Sequence, residues 1–88
     1  MIKGKTSTGF AFELEDDVLD DWELVDALRS VDKGNAEVMP DVFHLLLSER
    51  QQEALKSHVR GDKKKVSMSK MVTEIADILN SAREGKNS

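Results

Sequence analysis

The tightest constraint on this chain is a pair of unlike apolar patterns that 88 residues must satisfy together. Phe10, Phe12 and Leu14 alternate with Ala11 and Glu13, the period of a strand with one buried face. From about residue 20 onward the apolar residues recur instead at helical spacing. The turn-prone Thr6-Ser7-Thr8-Gly9 makes residues 2–5 and 9–14 a short β-hairpin. Two strands are not stable alone, so the three large side chains must rest on a helix or on another subunit's strand. A chain of this size holds one thin core, which close helix packing or oligomerisation has to support. The expected fold is mostly α: an N-terminal β-hairpin or strand over 2–14, then a compact four-helix domain over 20–84, with a frayed tail at 85–88. All of it forms one domain, 1–88.

Four helices follow from stops and caps. The acids Asp16, Asp17, Asp20 and Asp21 sit where a helix N-terminus favours negative charge, so the first helix spans about 20–31 and ends at Asp32-Lys33-Gly34. Its inward stripe reads as Trp22, Val25, Leu28 and Val31, with Leu24 alongside. Pro40 fits only a first turn, which starts the second helix near residue 40 after a turn at 35–39. Its apolar residues Val42, Phe43, Leu45, Leu46 and Leu47 nearly encircle it, as in a central helix. Ser48 and Gln51 read as a capping box for a third helix over 49–59, with Ala54, Leu55 and Val59 inward and Arg50, Gln52, Glu53 and Lys56 outward. Residues 60–65 form a loop, and Ser67 caps a last helix to about residue 84, with Val66 and Met71 as a hydrophobic staple. Its stripe of Met68, Met71, Ile75, Ile78 and Ala82, widened by Val72 and Leu79, covers the core or pairs with another chain.

Composition removes several kinds of chemistry. Without cysteine there is no disulfide, thiolate metal site or thiol nucleophile, and no oxidising compartment is required. The start MIKGKTSTGFAF lacks the pattern of a signal peptide, and no apolar run approaches the roughly 18 to 20 residues of a membrane span. A cytoplasmic location is the expectation. Acids at 15–21 lack the alternating ligands, central glycine and closing Glu of a calcium loop. His44 and His58 lie fourteen residues apart on predicted helices with no paired Glu or Asp at metal-ligand spacing. Phosphate loops, nucleophile elbows and dinucleotide fingerprints are missing, so no enzyme, metal or cofactor is expected.

Charge is divided along the chain. Residues 1–42 hold 11 acids and 4 bases, whereas 43–88 hold 6 acids and 9 bases, including Lys63, Lys64 and Lys65. That asymmetry decorates solvated faces, steers a partner or favours head-to-tail self-association. Trp22, among Asp20, Asp21 and Glu23, either packs between hairpin and helix or offers its ring to a partner.

One motif pair points to DNA. LSERQQEAL at 47–55 and EIADIL at 74–79 look like the first two helices of a helix-turn-helix regulator, the alternative reading for 47–79. Only nine residues follow Leu79, too few for a recognition helix, and net acidity works against phosphate binding.

Taken together, the F-x-F-E-L strand, the acid-rich D-D-W-E-L-V-D-A-L helix, the leucine-rich central helix and the V-R-G-D loop before the last helix resemble the small tail assembly chaperones of long-tailed bacteriophages and prophages. The likeness covers about residues 9–88. It implies a non-enzymatic helper that binds the tape measure protein, with tail tube subunits as further clients. Such a helper acts in the bacterial host cytoplasm and is absent from the finished virion. It also implies a programmed frameshift near the end of the gene, for which a GGA AAA AAC coding of Gly85-Lys86-Asn87 would supply the slippery run. A helper for a long helical client needs adaptable apolar contacts with a charged rim, and Phe10, Phe12, Trp22, Met68 and Met71 are the candidate partner-binding residues.

Overall fold

A computed structural model describes residues 1–85, with side chains through Arg83. Strand β1 (Ile2–Lys5) pairs antiparallel with β2 (Ala11–Leu14), placing Ile2 opposite Leu14 and Gly4 opposite Phe12. Four helices follow: α1 (Trp22–Asp32), α2 (Met39–Leu46), α3 (Glu49–Arg60) and α4 (Met68–Gly85). Short 3-10 turns at Val18–Asp20 and Ala36–Val38 lead into α1 and α2. The protein is therefore mostly helical, an N-terminal hairpin followed by four helices in a compact globule. Apart from Gly85, which closes α4, the expected tail at 85–88 lies outside the described residues.

The hairpin turn shows how local sequence sets geometry. Gly9 takes a φ of 95°, a left-handed conformation that costs glycine nothing. Its N–H donates to the Thr6 carbonyl, while the Thr6 N–H donates to the Phe10 carbonyl, both at 2.9 Å. Phe12 and Leu14 then face inward and Phe10 follows them into the core. Gly4 is needed for a different reason: a Cβ there would lie 2.6 Å from Cζ of Phe12, so the ring passes over a backbone without a side chain.

The cover this hairpin requires is intramolecular. Helix α4 lies against β1, α1 packs on α2, and α3 bridges α2 to α4, so the start of the chain closes against its end. Phe12, Leu14, Leu24, Val42, Leu55 and Ile78 meet in one core. Helix α4 supplies Met71, Ile75, Ile78, Leu79 and Ala82 to it, so most of its apolar stripe serves the core.

Three expected faces are corrected. In α1, Leu24 and Ala27 are buried, Leu28 and Val31 partly so, while Trp22 is 81% exposed and Val25 51%. At about 100° per residue, steps of three slip back by about 60° each, so a three-spaced series winds round the helix. Trp22 thus lands opposite Leu24 and does not tie the hairpin to α1. In α2, Leu45 is exposed, leaving an apolar face of Met39, Val42, Phe43 and Leu46 where encirclement was expected. In α3, Gln52 is buried and Ala54 exposed, because Gln52 stands one turn before Leu55. Its amide is satisfied: Nε2 donates to the Leu47 carbonyl at 2.8 Å and Oε1 accepts from His44 Nδ1 at 2.7 Å.

The caps are mostly as expected. Asp21 Oδ1 accepts from the Glu23 N–H, and Asp16 forms an ion pair with the N-terminal amine. Ser48 Oγ accepts from the Gln51 N–H at 3.3 Å, but the Gln51 side chain does not close the box. Its Oε1 accepts from the Glu13 N–H at 3.0 Å, so α3 caps an edge group of β2.

Candidate functional site

Two constellations merit functional scrutiny, one polar and one apolar. The polar one joins the hairpin turn to α4. Glu74 is only 3% exposed, yet each carboxylate oxygen has a hydroxyl donor: Thr6 Oγ1 at 2.9 Å and Thr8 Oγ1 at 2.8 Å. Asp77, one turn on, accepts from the Ser7 N–H at 2.6 Å. The Thr6 hydroxyl also accepts from the Phe10 N–H at 3.1 Å. His58 Nε2 lies 2.9 Å from Thr8 Oγ1, whose one proton is directed to Glu74, so Nε2 donates in that contact.

That assignment bears on chemistry. A Thr–His–acid relay needs the imidazole to accept the hydroxyl proton and the acid to hold the opposite ring nitrogen. Here the carboxylate binds the hydroxyl itself. The arrangement is that of a lock fastening a turn to a helix, with every buried polar side-chain atom of the described residues partnered.

The apolar constellation is a groove of about 300 Å³ between the start of α2 and the first turns of α4. Met39, Phe43, Met71 and Ile75 form its floor, with Val66, Met68 and Val72 along one side. Lys56 and His44 contribute polar edges. Pro40 sits in the first turn of α2 and Ser67 immediately precedes α4, its Oγ accepting from the Lys70 N–H at 3.4 Å, so two helix starts converge on one opening. Val66 and Met71, the expected staple, line the groove together. Lys56 Nζ lies 5.9 Å from the Phe43 ring centroid and pairs with Glu53 at 3.1 Å. Lys63, Lys64 and Lys65 immediately precede Val66 and are exposed, with no ion pair among the described residues.

The five candidate partner-binding residues separate accordingly. Phe10 and Phe12 are core residues with almost no accessible surface. Met71 is at the groove floor and Met68, 50% exposed, at its lip. Trp22 stands on the outer face of α1 with Val25, away from the groove. Sequence reasoning missed Met39 and Phe43 as groove residues because Met39 falls in the expected turn at 35–39 and Phe43 on the expected encircling apolar surface of the second helix.

For the helix-turn-helix reading, α3 and α4 are separated by residues 61–67, longer than the 3–4-residue turn of that motif. Ile75, Ile78 and Leu79 of the EIADIL segment are committed to the core. Among the described residues no group of three His, Asp or Glu side chains is placed to hold a metal, and no helix is long and apolar enough to cross a membrane. The chain matches no protein-family model, no curated protein and no solved structure.

Proposed function

We propose that this chain is a non-enzymatic tail assembly chaperone of a long-tailed phage or prophage. It binds the tape measure protein, and secondarily tail tube subunits, in the host cytoplasm and leaves before the virion is complete. The observation that carries the reading is the methionine-lined groove, open at the surface of an otherwise packed core. Methionine's unbranched, polarizable side chain packs against varied partners, and a shallow apolar groove with cationic edges suits the apolar stripe of an amphipathic helix. The sequence resemblance in residues 9–88 supplies the identity of the client.

The test is capture of the tape measure protein from an infected or induced lysate by tagged wild-type chain and by Met68→Glu. Recovery by the wild type and loss in the variant supports the proposal. No recovery by the wild type, or equal recovery by both, defeats it. Salt-dependent, sequence-specific retention of phage DNA would favour the regulator alternative for 47–79.

A further inference from the structure

We propose that the groove receives the Trp22–Val25 face of α1 from a second copy of this chain, so that copies associate head to tail. Independently of the chaperone reading, the inference rests on two apolar surfaces that lack cover and are opposite in charge at their rims.

The first surface is the outer side of α1. Trp22 is 81% exposed and Val25, one turn later, 51%. A tryptophan so placed presents the largest apolar area a single side chain can offer. Residues 15–26 around it contain seven acids and no base. Arg29 shares that outer side but lies a turn beyond Val25, so the acidic character is concentrated at the N-terminal end.

The second surface is the groove. Its volume of about 300 Å³ sits at the lower end of ligand-sized pockets, enough for a large ring and its neighbour but not for a whole helix. Met39, Met68 and Met71 line it and can adapt to an indole. The adjacent cations are Lys56 at the edge and Lys63 to Lys65 in the loop that enters it. An acidic helix with an aromatic anchor is the complement of an apolar groove beside lysines. Trp22 does not line the groove of its own chain, so the occupant comes from another copy.

Because donor and acceptor surfaces differ, the contact is heterologous, and a pair of copies retains one unused groove and one unused α1 face, on different copies. A single helix face in one groove is a small interface, so association is weak, concentration-dependent and reduced by salt.

The test uses light scattering or sedimentation over a concentration series with wild type, Trp22→Ala and Met68→Glu. Both substitutions are at exposed positions, and circular dichroism checks that each variant is folded. Wild type gains mass with concentration and loses it with salt, while each variant alone associates at least about tenfold more weakly. An equimolar mixture of the variants restores a complex that stops at two copies, because Trp22→Ala retains an intact groove and Met68→Glu an intact α1. Trp22 emission shifts to the blue on association in wild type and not in Met68→Glu alone. A wild type that stays monomeric at its solubility limit overturns the proposal, as does undiminished association of Trp22→Ala or failure of the mixture to rescue. A monomeric wild type whose groove binds an acidic amphipathic peptide would assign the groove to a foreign partner and also overturn it.

Discussion

Replacing Glu74 tests whether the polar lock holds the hairpin on α4. Its carboxylate accepts two hydroxyl hydrogen bonds at 2.9 and 2.8 Å from a position only 3% exposed. Hydrogen bonds to charged groups contribute about 1.5–3 kcal/mol each, but Thr8 is exposed and recovers part of its loss by hydration. Thr6 is buried and cannot. Glu74→Ala should therefore cost about 2–4 kcal/mol, a large share of the roughly 5–15 kcal/mol that stabilises a small domain. Glu74→Gln keeps an acceptor for Thr6 and puts an amide donor beside Thr8, and should cost about 1 kcal/mol. At about 4–8 °C per kcal/mol, the alanine variant melts at least about 8 °C lower. Urea denaturation followed by far-ultraviolet circular dichroism measures both, since the exposed Trp22 is a poor reporter of burial. Equal costs for the two variants, or a cost below about 0.5 kcal/mol for alanine, would refute the argument that the paired hydroxyls matter.

Gly4→Ala forces a Cβ to within 2.6 Å of the Phe12 ring and should cost about 1–3 kcal/mol, partly relieved in a Gly4→Ala/Phe12→Leu double variant. Gly9→Ala, where a Cβ meets nothing but φ is 95°, should cost about 1–2 kcal/mol and be additive with Phe12→Leu. Full additivity at Gly4 would contradict the steric reading. Trp22→Ala should change monomer stability by less than about 0.5 kcal/mol, whereas a tryptophan packed in the core would cost about 3–5 kcal/mol; chemical denaturation at low concentration distinguishes them. Gln51→Ala removes the acceptor for the Glu13 N–H and should speed amide exchange at Glu13, measured against the Leu14 amide as reference.

Local signals located the elements well. The hairpin, the start of α2 beside Pro40 and the caps Ser48 and Ser67 were legible because each depends on residues within a turn of one another. The face of α1 was misread because Leu24, Val25, Leu28 and Val31 support two overlapping stripes, and only packing on α2 selects the one through Ala27. Gln52 and Glu74 have polar side chains that sequence periodicity assigns to solvent. Their partners, Leu47, His44, Thr6 and Thr8, are supplied by the tertiary fold. The groove was half legible: Met68 and Met71 were candidates, but Met39 and Phe43 join them only when α2 meets α4.

Four methionines give the most direct test that this groove is the partner surface, because Met39, Met68 and Met71 line it and Met1 does not. With methyl-labelled methionine at a dilution where the chain is monomeric, titration with the tape measure protein should move the Met39, Met68 and Met71 signals and leave Met1 in place. Binding that leaves those three signals unmoved, or that moves Met1 alone, would contradict the assignment.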